Sequence, residues 1–326
     1  MKQGEKMKMK MGPKMKKALH IFLKTVGVIA VAIVLFLVVT STVNVISTKS
    51  EAAKIQSYGQ LVPVDGKKMN VMIQGDGEET VVLLPGYGTA SPALDFKLLI
   101  DELSSHYRVV AVEPFGYGLS DGTKKERTTE NIISEVHEAL QQLNIDRYVL
   151  GGHSIAGIYG IAYVNKYPNE VTGFVGVDTS VPTQAGMDAK LPIKGFAFLE
   201  KAGLVRLIKK VGSDPYTGLA YDEQTKEQMR LISNKNSNNS TNLDEMQHIA
   251  SNFEGAKGLT FPKELPLIFF IDANNTANQG WQQLHEDQIK DSVHGKVVPL
   301  PGSHYLHHTK SKEIAEGFKE FMEQAK

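Results

Sequence analysis

The chain of 326 residues is 41% hydrophobic and has no net formal charge, but its charged residues are unevenly distributed. Residues 1–24 hold eight lysines and one glutamate, whereas the rest of the chain has a net charge of −7. An acidic main body argues against a nucleic-acid partner, for which a basic face is expected. Because the sequence has no cysteine, it excludes a disulfide framework, a thiolate nucleophile and a cysteine-ligated metal.

The first predicted element is a membrane-spanning helix over residues 25–46, which contain no charged side chain. Its 22 residues would cover about 33 Å, enough to cross a hydrocarbon core of about 30 Å. The lysines of residues 1–24 predict that this basic segment is cytoplasmic, in a single-pass protein of the cell membrane with residues 47–326 outside the cytoplasm. A cleaved signal peptide is the alternative, but no A-x-A site follows the apolar stretch, which favours an uncleaved signal anchor.

A polar linker at residues 47–59 leads into one large domain, residues 60–326, in which predicted strands and helices alternate. An opening hairpin is predicted over residues 60–73, around Asp65-Gly66. Short apolar runs predict buried strands, separated by helices, at residues 80–84, 107–112, 147–150 and 171–177. This order is typical of an α/β fold with a mostly parallel sheet and helices on both faces, in which ligands bind at the carboxyl ends of the strands.

Residues 180–262 interrupt this alternation and predict a helical cap over the carboxyl edge of the sheet. Helical pieces are expected at 196–210 and 223–232, and the asparagine-rich tract at 234–242 is expected to form a mobile loop because it has few apolar residues. Alternation then resumes with predicted strands and a last helix, at residues 265–271, 296–300 and 310–325.

The sequence Gly-Gly-His-Ser-Ile-Ala-Gly at residues 151–157 predicts a nucleophile elbow. In such a turn, Ser154 adopts a strained backbone conformation between a strand and a helix, its hydroxyl is exposed, and the amide of Ile155 points at the oxygen of the bond under attack. Glycines allow the close approach of the neighbouring strand and helix. An ordinary Gly/Ser turn of a βα unit is the alternative interpretation.

A serine hydroxyl needs a base to remove its proton, and His304 is the best-placed candidate among ten histidines. It lies in a tight loop directly after the last predicted strand. His307 and His308, one turn further on, are the second choices. His153 is expected to have a structural role, because neighbouring side chains in a tight turn diverge.

Four motifs occur in the order typical of one superfamily, at residues 85–88, 116–120, 152–154 and 302–304. Together they make the chain resemble the α/β hydrolases over most of residues 60–326. The resemblance implies an oxyanion hole built from the amides of Tyr87 and Ile155 and a reaction that needs no metal or organic cofactor. Two departures, Ala156 in place of a glycine and Pro85 in place of a histidine, leave the backbone donors available.

The acid that orients the histidine is not expected at its usual position, because Asn275 stands near the position where the superfamily usually has its acid. Asp178, at the end of the predicted strand after the nucleophile's strand, and Asp272, at the end of the usual acid strand, are the two candidates. A carboxylate is required because it fixes the histidine tautomer and stabilises the imidazolium. Asp178 is favoured, and an aspartate that merely caps a loop is the alternative for either residue.

These observations predict a membrane-anchored serine hydrolase that cleaves a carboxylic ester or related acyl bond in a small-molecule substrate. A catalytically silent binding or signalling domain of the same fold and a peptidase are the alternatives. Two further residues are expected to be structural: Glu113 to hold the glycine-rich loop and Trp281 to pack in the core or cap.

Overall fold

The computed structural model describes residues 12–325 of the chain. It begins with a single long helix, α1 (Pro13–Ala52). Residues 1–11 of the predicted basic segment lie outside the described residues. The predicted apolar span falls within α1, but the helix continues six residues into the segment expected to be a linker. No proline or glycine interrupts residues 47–52, so nothing in the sequence ends the helix there.

Within the described residues, α1 is the one helix long and apolar enough to cross a membrane by length and composition. No part of its most apolar stretch is buried against the rest of the protein. This exposure distinguishes α1 from a core helix of a soluble protein, because a core helix buries its apolar side chains.

Eight strands form one sheet in the order β1-β2-β4-β3-β5-β6-β7-β8. The first two strands form the predicted hairpin, and the pairs β1–β2 and β2–β4 are antiparallel. All other neighbouring strands in the sheet are parallel to each other. The strands are β1 (Gln60–Val64), β2 (Lys67–Gln74), β3 (Thr80–Leu84), β4 (Arg108–Glu113), β5 (Tyr148–His153), β6 (Val171–Val177), β7 (Leu267–Asp272) and β8 (Gly295–Leu300). The mostly parallel α/β sheet predicted from the sequence is therefore confirmed.

Helices cover both faces of this sheet, and further helices form the cap. They are α2 (Pro92–Asp95), α3 (Lys97–Leu103), α4 (Thr129–Gln142), α5 (Ala156–Lys166), α6 (Ile193–Lys201), α7 (Leu204–Val211), α8 (Glu223–Asn236), α9 (Ser240–Ala256), α10 (Trp281–Ile289) and α11 (Ser311–Gln324). Successive strand residues point to opposite faces. Val82 and Leu84 therefore join the core under α4 and α5, while Val81 and Leu83 join the core under α3 and α11.

The cap differs from its prediction in two places. The expected helical piece at 196–210 is two helices, because Gly203 adopts a positive φ of 72° between α6 and α7. The tract at 234–242 is not a mobile loop but the end of α8, a short turn and the start of α9. Its amides bind backbone carbonyls of the glycine-rich loop, Asn236 that of Gly118 at 2.9 Å and Asn239 that of Gly116 at 2.8 Å. Polar side chains can pack when such acceptors satisfy them.

Candidate active site

Ser154 lies at the sharp turn between β5 and α5, with a positive φ of 56° that side-chain-bearing residues rarely adopt. The turn is crowded on the side of β3. A Cβ on Gly86 would lie 2.6 Å from His153 Nδ1 and 3.0 Å from Ser154 Cβ, and a Cβ on Gly152 would lie 2.8 Å from the carbonyl oxygen of Leu84. The glycines are therefore needed for the close approach that a nucleophile elbow requires.

His304 and Asp178 are in direct contact at the same edge of the sheet. The Nδ1 atom of His304 donates to Asp178 Oδ2 at 2.7 Å. Asp178 is fully buried, and its other oxygen, Oδ1, accepts from the backbone nitrogen of Asp272 at 2.9 Å and from Trp281 Nε1 at 2.7 Å. Three donors thus satisfy the buried carboxylate. With its proton on Nδ1, the His304 imidazole keeps Nε2 free as an acceptor.

Ser154 and His304 line one cavity of about 550 Å³. This size is within the range of small-molecule sites in proteins. The cap closes one side of the cavity, and the loop after β7 closes another. The lining includes Tyr87, Ile155, Ser180, Met187, Ala189, Leu191, Ile249, Phe253, Asn275 and Trp281. Both residues predicted for the oxyanion hole, Tyr87 and Ile155, therefore line the same cavity as the serine and the histidine.

The second candidate acid, Asp272, points its carboxylate elsewhere. Its Oδ1 accepts from the backbone nitrogen of Asn274 at 3.0 Å, which stabilises the loop after β7. Its backbone nitrogen donates to Asp178, so Asp272 contributes to the arrangement through the main chain. Of the two aspartates, the one in hydrogen-bond contact with His304 is Asp178.

A family model described as the alpha/beta hydrolase fold matches residues 79–253, more than half of the chain. The chain belongs to the α/β-hydrolase family. It is 31% identical to the uncharacterized protein YbdG of Bacillus subtilis (strain 168) across 274 aligned residues. The alignment covers 81% of this chain and 83% of YbdG.

Solved structures of α/β hydrolases share its fold. The enol-lactonase from Burkholderia xenovorans LB400 matches 81% of this chain and 100% of its own, with a TM-score of 0.59 and 19% identity. A membrane phospholipase A described as a bacterial virulence factor matches 94% of this chain and 98% of its own, with a TM-score of 0.58 and 16% identity.

Trp281 is the site residue whose contact the sequence did not reveal. This α/β hydrolase buries the indole ring, as expected for a packing residue, but the indole nitrogen also donates to the carboxylate that holds His304. A buried indole N–H needs an acceptor, and a buried carboxylate needs donors. These two requirements could have indicated a hydrogen bond between Trp281 and Asp178, although 103 positions separate the two residues in the chain.

The second-choice histidines do not approach Asp178 but bind a different carboxylate. His307 Nε2 lies 2.7 Å from Asp95 Oδ2, and His308 Nε2 lies 2.8 Å from Asp95 Oδ1. Burial raises the pKa of Asp95, but the two histidines outweigh it and hold that pKa below its usual range. The three side chains are close enough together to form a metal-ligand group. Their direct hydrogen bonds satisfy Asp95 without a metal and connect α2 to the loop that carries His304.

His153 also holds the histidine loop. Its Nε2 donates to the backbone oxygen of His304 at 2.9 Å, and the ring is almost fully buried. Burial, together with His307 and His304, keeps the pKa of His153 well below its usual range, so the ring is neutral at pH 7. This contact agrees with the structural role predicted from the sequence.

Glu113 holds the glycine-rich loop, as the sequence predicted. Its Oε2 accepts from the backbone nitrogen of Leu119 at 2.8 Å and from Asn70 Nδ2 at 2.9 Å. The loop comes so close that a Cβ on Gly118 would overlap this carboxylate. Glu113 therefore fixes loop geometry and stays apart from the cavity lined by Ser154.

Proposed function

We propose that this α/β hydrolase is a membrane-anchored serine hydrolase that cleaves a carboxylic ester or related acyl bond through an acyl-enzyme on Ser154. The observation that carries the proposal is the 2.7 Å hydrogen bond between His304 Nδ1 and buried Asp178, on the wall of the cavity that Ser154 also lines. A serine, a histidine and a carboxylate in these roles form the arrangement that activates a hydroxyl for acyl transfer.

In the proposed mechanism, His304 Nε2 takes the proton of Ser154 Oγ as that oxygen attacks the ester carbonyl carbon. The amides of Tyr87 and Ile155 stabilise the resulting oxyanion, each worth about 2.7–4 kcal/mol in transition-state energy. The imidazolium then protonates the leaving alcohol as the ester bond breaks, which gives the acyl-enzyme. A water molecule, deprotonated by His304, attacks the acyl carbon, and the proton returns to Ser154 as the carboxylic acid leaves.

The apolar lining of the cavity favours a substrate with an acyl chain. The cap side and the core side contribute mainly apolar side chains, among them Met187, Leu191, Ile249 and Phe253. Such a wall stabilises a hydrocarbon chain by roughly 0.8 kcal/mol per buried CH₂ group. The enol-lactonase named above shows that a protein of this fold acts on a lactone, which is a cyclic ester.

Membrane anchoring is the second part of the proposal, and it rests on α1. Twenty-two uncharged residues of that helix, 25–46, suffice for one crossing, and lysines flank them on the N-terminal side. With that orientation the hydrolase domain lies outside the cytoplasm, where a chain without cysteines has no thiol to oxidise.

A serine-directed fluorophosphonate probe tests the proposed nucleophile. The wild-type protein in detergent is expected to be labelled and to hydrolyse a short-chain p-nitrophenyl ester, and Ser154→Ala is expected to lose both activities because it lacks Oγ. Ser180→Ala is the matched control, since Ser180 lines the same cavity and is expected to keep labelling. Labelling that persists in Ser154→Ala, or a folded wild type that is neither labelled nor active, contradicts the proposal.

A further inference from the structure

The cap helices α6 and α7 lie directly against α1. The last carbonyls of a helix have no partner within the helix and need donors from elsewhere. At the end of α6 the donors come from α1: Asn44 Nδ2 to Glu200 O at 3.2 Å, Ser41 Oγ to Lys201 O at 2.9 Å, and Thr40 Oγ1 to Ala202 O at 2.7 Å. Helix α1 therefore caps α6.

Helix α7 is held by the next part of α1, residues 44–51. Arg206 Nη1 donates to both carboxylate oxygens of Glu51, at 2.7 and 2.8 Å, and Arg206 Nε donates to Asn44 Oδ1 at 2.8 Å. Between the two helices, a Cβ on Gly203 would overlap the carbonyl oxygen of Thr40. The close approach and the ion pair fix the α6–α7 pair at one level along α1.

That level is the outer boundary of the proposed membrane span. A hydrocarbon core of about 30 Å takes about 20 helical residues. Counted from Lys24, the last charged residue before the apolar stretch, 20 residues end at Asn44. The contacts at Thr40–Asn44 therefore place the α6–α7 pair where the hydrocarbon core meets the outer headgroups.

The α6–α7 pair carries the side chains that such a location favours. Neither helix contains a residue buried in the fold. Phe198 is 53% exposed, Ile208 60% and Val211 77%. In α7, residues 204, 208 and 211 are spaced to share one face of the helix. Residues 190–211 contain six basic residues and one acidic residue, although the chain after residue 24 is acidic overall. Apolar and basic side chains in one exposed helix are typical of elements that lie in the surface of an anionic bilayer.

One cavity adjoins the segment just before α6, and a second adjoins α7. Leu191, two residues before α6, lines the cavity of Ser154 and is itself 43% exposed. A second cavity of about 440 Å³ lies between α1, α7 and α8. Its charged lining has four basic side chains and two acidic ones: Arg206, Lys209, Lys210, Arg230, Glu51 and Asp214. The wall of the Ser154 cavity therefore continues into a surface with apolar and basic character.

We propose that the α6–α7 pair is a membrane-binding element that sits in the outer leaflet beside α1, and that the substrate is an acyl ester of a lipid in that leaflet. The inference rests on the proposed function, because it assumes both the membrane span and the chemistry at Ser154. The element holds the wall of the cavity at the lipid surface, so an acyl chain can pass from the bilayer along Leu191 to Ser154 without crossing water.

A depth measurement tests the membrane contact independently of activity. The chain has no cysteine, so single cysteines introduced by Phe198→Cys and Ile208→Cys give unique sites for a fluorophore. The full chain is reconstituted in vesicles of phosphatidylcholine and phosphatidylglycerol that contain nitroxide-labelled lipid. Both labels are expected to be quenched, whereas a label at Gln283→Cys, an exposed position on α10, is not. Absence of quenching at 198 and 208, or energy transfer showing that a second copy covers them, overturns the inference.

An activity comparison tests the substrate class. The double variant Phe198→Glu/Ile208→Glu replaces two exposed side chains that do not line the Ser154 cavity. Its rate on a soluble short-chain ester is expected to match that of the wild type. Its release of fatty acid from the vesicles is expected to fall about tenfold or more, the factor that burial of one large apolar side chain is worth. Equal loss on both substrates, or no loss on vesicles, contradicts the inference.

The two proposals fail in different ways. A wild type that hydrolyses the soluble ester but no vesicle lipid refutes the lipid substrate and leaves the serine hydrolase intact. A wild type that hydrolyses neither, and that the fluorophosphonate does not label, refutes the proposed function itself. In that case quenching at positions 198 and 208 still decides whether the α6–α7 pair binds the membrane.

Discussion

Replacing Asp178 by asparagine is the most specific test of the site, because the donors around the carboxylate dictate how the amide must orient. Oδ1 accepts from both Asp272 N and Trp281 Nε1, so the amide oxygen of an asparagine has to take that position. Its NH₂ group then faces His304 Nδ1, which must present a lone pair. The imidazole is forced to carry its proton on Nε2, and that atom can no longer accept the proton of Ser154.

The expected magnitude follows from this tautomer change. In a serine protease the equivalent substitution lowers kcat about 10⁴-fold, which corresponds to about 5.4 kcal/mol of transition-state stabilisation. We expect a loss of that order in ester hydrolysis and a similarly slower reaction with the fluorophosphonate, while the melting profile shows that the variant is folded. Asp272→Asn is the matched control, since its amide oxygen can still accept from Asn274 N. A folded Asp178→Asn protein with more than about a tenth of wild-type activity would refute this reasoning.

Two further predictions concern stability. Trp281→Phe keeps the aromatic bulk but removes one hydrogen-bond donor from buried Asp178. The free energy of unfolding, measured by circular dichroism in urea, should therefore fall by about 1.5–3 kcal/mol. An unchanged midpoint of the urea transition contradicts this prediction. Because the pKa of His153 is held below its usual range, the unfolded chain binds a proton below about pH 6.5 that the folded chain does not. Stability is therefore lost as pH falls, and His153→Gln should lose on the order of 1 kcal/mol less than the wild type between about pH 7.5 and 5.5. Equal losses in the two proteins contradict this prediction.

The architecture was predictable from the sequence because strands and turns are marked by local patterns. The glycines around Ser154 indicate that the backbone there packs closely against its neighbours, and in the structure β3 and α5 do pack closely against this turn. The cap was less predictable, because its contacts are with other parts of the chain. Asn236 and Asn239 have the composition of a solvated loop, and only the carbonyls of residues 116 and 118, more than 100 positions earlier, make them part of the fold.

Within the site, the sequence narrowed the acid to two residues but did not distinguish them by spacing alone. Both Asp178 and Asp272 end neighbouring parallel strands, so both reach the same edge of the sheet. What separates them is side-chain direction: Asp178 adopts a positive φ of 45° and turns towards His304, whereas Asp272 turns towards its own loop. Backbone conformation at one residue depends on tertiary context, which a single sequence does not express.

The histidine loop is held by polar contacts from the core of the domain. Strand β8 is at the edge of the sheet, and none of its residues is fully buried. The loop after it is instead fixed by His153 at the His304 carbonyl, by Asp178 at the His304 ring and by Asp95 at His307 and His308. None of these anchors belongs to the cap. A substitution in α6 or α7 that detaches the cap from the lipid surface should therefore leave the His304 geometry unchanged, because orientation of the base and delivery of the substrate depend on separate sets of contacts.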